Sequence, residues 1–271
     1  MSEDIDPKRS AQELYATALV RERTRARLTQ AALGQHPGVF VSPQQIGHLE
    51  KCRRPPTLRL SRGLDAAFGL DEFFEALYEA YVRENGTPPA FWEYAELEPQ
   101  ASLIRVYSNF LIPGLLQTEE TTRAILRAGQ KPECLDQVVA ARMERQEILR
   151  REDPPVLLVR LDEYAVRRRI GDPETKRRQL EHLLELMQRP NIDIVIVPDG
   201  APIFPVTSFT ILSLPDGRPD LGYADSIDGR GSTIEPGPDL IELAVTFERI
   251  GSRALSIADS EKLIRALLED M

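Results

Sequence analysis

The chain changes its hydrophobic period once, and the change falls at "ENGTPPAFWEYAELEPQ", Glu84 to Gln100. Before this stretch apolar residues recur at helical spacing in short pieces divided by turn signals. After it, alternating or continuously apolar runs interleave with helical ones. Helices and strands bury different faces because their side chains repeat with different periods, so a single packing scheme cannot serve both halves. The sequence therefore predicts an all-α domain over residues 1–85, a packed connector over 86–100 and an α/β (α+β) domain over 101–271 with a central sheet flanked by helices. The connector holds Gly86, Pro88, Pro89, Pro99 and the sole tryptophan, Trp92.

Five short helices are expected in the first part. "AQELYATALVRERTRAR" places Leu14, Ala18 and Leu19 on one face and arginines on the other. "LTQAALGQ" offers Thr29 as an N-cap, with Leu28 before it and Leu33 four residues on as a hydrophobic staple. After the turn "HPGVFV", Ser42 caps a third helix and Pro43 takes its first position, where a missing N–H costs nothing. Helices from Thr57 to Phe68 and from Asp71 to about Arg83 complete the set. In the second part "SLIRVY", "VLLVRLD", "IDIVIVP", "TSFTILSL" and "LGYADSI" read as strands. "QTEETTRAILRAG", "CLDQVVAARMERQEILRRE", "PETKRRQLEHLLELMQR", "GPDLIELAVTFERIGSRA" and "IADSEKLIRALLED" read as helices, and "DGRGSTIEPG" as a turn.

Charge divides the same way. The net charge of −9 argues against nucleic acid bound over the whole surface, but residues 1–65 carry 11 Lys/Arg against 7 Asp/Glu and the remainder 23 against 36. A basic head on an acidic body suits one domain that meets phosphate and another that stays clear of it.

The pair of helices around residues 28–51 carries the strongest chemical signal. A DNA-reading helix needs a partner that crosses the phosphate backbone, a tight turn, and polar side chains on its first turns. Gln44, Gln45 and His48 would face outward to the bases while Ile46 and Leu49 face inward; glutamine pairs bidentately with the edge of adenine. Thr29 and Gln30 at one helix start, Ser42 at the other, and Lys51, Arg53 and Arg54 in the tail "KCRRPP" are the expected phosphate contacts. Gly47 costs about 1 kcal/mol of helix propensity relative to alanine, which makes sense if something approaches it closely. An ordinary amphipathic surface helix would also accommodate two glutamines.

"LTQAAL…VSPQQIGHLEKCRRPP" followed by "LRLSRGLDAAFGLD" resembles the DNA-binding domain of Xre-type helix-turn-helix regulators. By that resemblance Gln30 would contact phosphate, Gln44 and Gln45 bases, and Ile46, Leu49, Leu60 and Leu64 the core. The link "GQHPGVFVS" is longer than that family's usual turn, and Arg27 and Cys52 stand where glycine is common. Further on, "IPGLLQTEETTRAIL", "ARMERQEIL", "LDEYAVRRRIGDPETKRRQLEHLLELMQRPNIDIVIVP", "SFTILSLP" and "ALSIADSEKLI" resemble the antitoxin-like C-terminal domain of actinobacterial, WhiJ-type regulators. The late Tyr-x-Glu of that family appears only as "GYADSIDGRG". The resemblance implies a transcriptional regulator, often beside a gene for a small acidic partner protein; a homodimer on a double-stranded DNA operator is expected because one such head buries too little surface for strong specificity. A small-molecule sensor is the alternative role for the second domain.

Other chemistry finds little support. Asp162 and Glu163, with Arg142, Arg145, Arg167, Arg168 and Arg169 nearby, make a carboxylate and arginine cluster of the kind salt-bridged surfaces produce, and no nucleophile elbow, Walker loop or His-Glu-x-x-His motif occurs, so no enzyme is expected. Two cysteines and three histidines lack zinc-site spacing, and neither metal nor cofactor is expected. Cys134 is expected to pack as a small apolar residue and His182 to sit half-buried or on the surface, while Cys52 beside two arginines is a minor candidate for an oxidant-sensing thiolate. No apolar run is long enough to span a bilayer and the start is polar, so the expected location is the cytoplasm, at the nucleoid when bound to DNA.

Overall fold

The computed structural model describes residues 5–85, 90–129, 132–203, 207–225 and 231–271. It divides into two compact units, one consisting in the main of Met1–Leu97 and the other of Glu98–Ser226 with Thr233–Met271.

Among the described residues up to Leu97 the first unit has six helices: α1 (Ala11–Arg25), α2 (Gln30–Gly34), α3 (Pro43–Glu50), α4 (Leu58–Phe68), α5 (Phe73–Asn85) and α6 (Phe91–Leu97). Side-chain oxygens of Ser10, Thr29, Ser42 and Thr57 accept the free N–H groups of Glu13, Ala32, Gln45 and Leu60, so each of the first four helices starts where its cap stands. Tyr15, Leu19, Leu33, Ile46, Leu49, Leu60, Leu64 and Phe74 form the core, with Leu28 packed against it. The expected face of α1 is corrected at one position. Leu14 is 40% exposed because it lies about 100° around the helix from Tyr15, outside the buried arc of Tyr15, Ala18, Leu19 and Glu22. The long link from α2 to α3 is seated by close backbone approaches: a Cβ on Gly34 would overlap the Val41 carbonyl, and one on Gly63 of α4 would overlap the carbonyl of Gly38. α6 lies in the stretch read as connector, yet it is the sixth helix of this unit.

The second unit is built on a six-stranded sheet of β1 (Leu103–Ser108), β2 (Val156–Asp162), β3 (Ile192–Val197), β4 (Phe209–Ser213), β5 (Leu221–Ala224) and β6 (Ser232–Ile234), in the order β3-β2-β1-β4-β5-β6. β1, β2 and β3 are parallel, and β4 pairs antiparallel with both β1 and β5. α7 (Glu119–Leu126) and α8 (Pro132–Arg145) cross from β1 to β2, while α9 (Glu163–Arg167) and α10 (Pro173–Leu186) cross from β2 to β3; α11 (Pro238–Gly251) and α12 (Ile257–Glu269) close the chain. α11 covers the face carrying Tyr107, Phe209 and Ile211 through Leu240, Phe247 and Ile250. Arg160 of β2 lies under it, 4.4 Å from the centroid of the Phe247 ring, where Gly251 leaves the room that a side chain would fill. Two elements differ from the sequence reading. Ser232–Ile234 is a strand rather than part of a turn, since pairing with β5 decides so short a segment, and α9 forms because Asp162 caps it through the Tyr164 N–H. Residues 228–230 of the expected turn, and the side chains of Trp92 and Cys134, lie outside the described residues.

Three head helices end in the same way. After α1 the Leu28 N–H reaches the Arg23 carbonyl and that of Arg27 the Thr24 carbonyl; after α3, Arg53 reaches His48 and Cys52 reaches Leu49; after α4, Leu70 reaches Asp65 and Gly69 reaches Ala66. The motif needs one left-handed residue, and those are Arg27 at φ 56°, Cys52 at φ 55° and Gly69 at φ 64°. Only the last is glycine. A non-glycine residue in this region costs about 1–2 kcal/mol, part of which glycine returns through its looser unfolded chain. Arg27→Gly is therefore expected to stabilise the protein by about 0.5–1 kcal/mol in chemical denaturation, whereas Gly69→Ala is expected to destabilise it by at least as much.

Candidate nucleic-acid interface

α2 and α3 are set against each other by one carboxylate. Glu50, 8% exposed at the end of α3, accepts Arg23 Nε at 2.5 Å and Nη2 at 3.2 Å from α1, and Gln30 Nε2 at 2.6 Å from the start of α2. Arg23 also donates to the Leu28 carbonyl, tying the turn between α1 and α2. The Gln30 amide lies against Gly47, whose missing Cβ would stand 3.3 Å from its oxygen. The glycine in the middle of α3 thus makes room for the helix before it.

The ten-residue stretch from Ser42 to Lys51 is sorted by this packing. Ile46 and Leu49 are buried as expected; Gln44, His48 and Lys51 are exposed, and so is Arg53 beyond them. Ser42 and Gln45 form a reciprocal capping box, with the Ser42 N–H donating to Gln45 Oε1 at 2.7 Å and the Gln45 N–H to Ser42 Oγ at 3.2 Å. Gln45 Nε2 points to the Ala95 carbonyl of α6 at 3.4 Å. Gln45 departs from the expected outward pair, because its amide is spent on the cap and on α6 and only Gln44 extends freely to solvent. Thr29 is exposed with its hydroxyl on the Ala32 N–H, and Gln30 is turned inward to Glu50.

Arg54 departs further. Instead of lying on the surface as a phosphate contact, it is 5% exposed and donates from Nη2 to Glu96 Oε1 at 2.8 Å. Glu96, on α6, is itself 1% exposed. Its other oxygen accepts Arg59 Nη2 at 3.0 Å, and the Thr57 hydroxyl lies 3.3 Å from both oxygens. Burial lowers the pKa of Arg54, and the neighbouring Glu96 opposes that shift. A buried guanidinium has to meet a carboxylate, and the sequence offered no sign that the acid would come from a helix some forty residues away. Cys52 is corrected as well: burial, and then Glu13, raise its pKa, so it is held as a thiol, its Sγ 3.7 Å from the Gln12 carbonyl, and not as a reactive thiolate.

In the second unit the carboxylate and arginine cluster disperses into structural pairs. Asp162 caps α9, Glu163 pairs with Arg167 at 2.6 Å and accepts the Asp199 N–H, and Arg145 forms a two-pronged pair with Glu98. Arg168 serves differently: its guanidinium carbon lies 3.7 Å from the centroid of the Phe110 ring, and Phe110 stacks on Tyr164 at 5.9 Å. Phe110 and Tyr164 are 49% and 53% exposed. Beneath this stack Lys176 donates to the Val166 and Arg168 carbonyls, and burial pushes its pKa down to about 8. The Phe110, Tyr164 and Arg168 stack escaped the sequence reading because Phe110 is remote in the chain from Tyr164 and Arg168. His182 is half-buried, and burial lowers its pKa. Among the described residues no helix is long and apolar enough to cross a membrane.

Residues 91–266 match the family described as domain of unknown function DUF5753, so the chain belongs to that family. The match begins at α6, and therefore includes the helix that carries Glu96 in the first unit. No curated protein and no solved structure matches the chain.

The two neighbouring arginines of the tail should separate cleanly on mutation. Arg54→Ala strips a charged hydrogen bond from a buried acid and is expected to cost about 2–3 kcal/mol, whereas Arg53→Ala is expected to stay within about 0.5 kcal/mol of the parent. Urea unfolding followed by circular dichroism checks both.

Proposed function

We propose that the chain is a sequence-specific DNA-binding transcriptional regulator whose helical head is a helix-turn-helix of the Xre type. The observation that carries this reading is the capped helix α3, fixed to α2 through Glu50 and Gln30, with Gln44, His48, Lys51 and Arg53 exposed along and just beyond it. In this reading α3 enters the major groove. Gln44 and His48 reach base edges, while Lys51, Arg53, Thr29 and the helix start at Ser42 lie nearest the phosphates. Two heads on a two-fold axis would give a palindromic operator, since one head alone reads too few base pairs for strong discrimination. The basic excess of residues 1–65 over an acidic remainder supports the same polarity.

The second unit is assigned to regulation through a small acidic protein partner. The exposed stack of Phe110, Tyr164 and Arg168 favours this over a ligand sensor, because aromatic rings and arginine are the side chains that concentrate binding energy at protein interfaces. Its positive charge suits an acidic surface, and the exposed Arg169 adjoins it in sequence.

Selection from randomised duplexes tests the head. Gln44→Ala is expected to relax base preference at one position by about 1–3 kcal/mol with little change in salt dependence. Lys51→Ala and Arg53→Ala are each expected to weaken every sequence alike and to flatten the slope of log K against log salt by about 0.9. Unchanged base preference in Gln44→Ala sinks the direct-readout assignment. For the second unit, the double substitution Phe110→Ala, Tyr164→Ala is expected to abolish co-purification with the proposed small acidic partner protein while leaving operator affinity intact; retention of the complex sinks the proposed partner surface.

A further inference from the structure

We infer that Arg54, Arg59 and Thr57 form a DNA-phosphate site that the protein fills with its own Glu96 carboxylate when no DNA is bound, so that α6 acts as an internal competitor of the operator backbone. The inference rests on the DNA-binding reading above.

Three observations point to it. The first is chemical equivalence. A carboxylate and a phosphodiester each present two oxygens that share one negative charge, and the Glu96 oxygens are divided between the two arginines, Oε1 on Arg54 at 2.8 Å and Oε2 on Arg59 at 3.0 Å, with the Thr57 hydroxyl 3.3 Å from both. Two guanidiniums and a hydroxyl at a helix start are the donor set that proteins turn toward phosphates. Arg59 also remains 25% exposed on its side chain, so the pocket opens toward solvent on that side.

The second observation is position. Arg54 ends the tail of α3, and Thr57 caps α4, on which Arg59 lies. This tail directly continues Lys51 and Arg53, which remain exposed. α6 reaches the first turn of α3 as well, through the Gln45 amide on the Ala95 carbonyl. One short helix thus occupies both a glutamine expected to read bases and an arginine expected to hold phosphate.

The third is connectivity. α6 ends at Leu97, and Glu98 begins the second unit. Whatever that unit binds can therefore act on α6 through the chain itself, and a shift of α6 would change the head's affinity for DNA without touching the recognition helix. Buried acid–arginine groups are poor sources of net stability, because desolvation consumes most of the attraction, so exchange of one anion for another in this pocket need not be uphill.

The test uses the full chain and a duplex recovered by randomised-site selection. Glu96→Gln keeps the shape of the side chain and removes its charge. It is expected to bind the duplex about tenfold tighter than the parent, with a log K against log salt slope steeper by about 0.9 for each phosphate gained. Hydrogen exchange on the unsubstituted protein is the second measurement, independent of whether the variant folds: amides of residues 91–97 are expected to lose protection when the duplex binds. If Glu96→Gln and the parent bind with the same affinity and slope, or if residues 91–97 keep their protection on DNA, the internal competitor is overturned while the DNA-binding reading stands. If neither protein binds any duplex at low salt, the DNA-binding reading itself falls, and this inference with it.

Discussion

The head depends on the Glu50 carboxylate. It is buried at the end of α3, and its partners come from two other helices: Arg23 on α1 and Gln30 on α2. A buried charge is tolerable only when its hydrogen bonds are satisfied, so the acid accepts few arrangements of these helices. Fixing α3 this way decides which of its residues face solvent. Gly47 belongs to the same arrangement, since the Gln30 amide that reaches Glu50 lies against it.

A second buried acid, Glu96, repeats the device one layer out and attaches α6 to the helices around it. The two acids differ in what they organise. Glu50 orders elements close in sequence and sets the geometry of a surface, whereas Glu96 brings in a helix from the start of the DUF5753 region. The head and the family domain are for that reason not separable at the Gly/Pro-rich stretch, where composition alone would cut them. In the second unit packing is more conventional, with near-continuous apolar strands in the parallel half of the sheet and helices across them.

Much of this was legible in the residues. Thr29, Ser42 and Thr57 marked their helix starts, because a cap is a local interaction between neighbours, while Gln45, the other half of the Ser42 capping box, had been expected at the bases. Arg27 and Cys52 at positions where related domains favour glycine turned out to be left-handed residues closing helices, so those departures carry a local backbone cost and leave α3 docked. Ile46 and Leu49 were recognisable as core from spacing, and Leu60 and Leu64 from the resemblance to Xre-type domains. The stretch from Ser232 to Ile234 was not recognisable as a strand, and Arg54 was not recognisable as buried. Both facts depend on partners remote in sequence, β5 for the one and Glu96 for the other.

By itself the sequence determined where the first five helices begin, which residues are apolar enough to be buried, and that the chain changes architecture near residue 90. Tertiary structure decided which polar side chains remain available. Gln44 and Gln45 are adjacent and chemically identical, yet one faces solvent and the other holds a cap and a carbonyl of α6. Arg53 and Arg54 divide in the same way. Periodicity assigns a residue to a face, but whether that face meets water or another element depends on contacts formed across forty or fifty residues, and no local pattern encodes those.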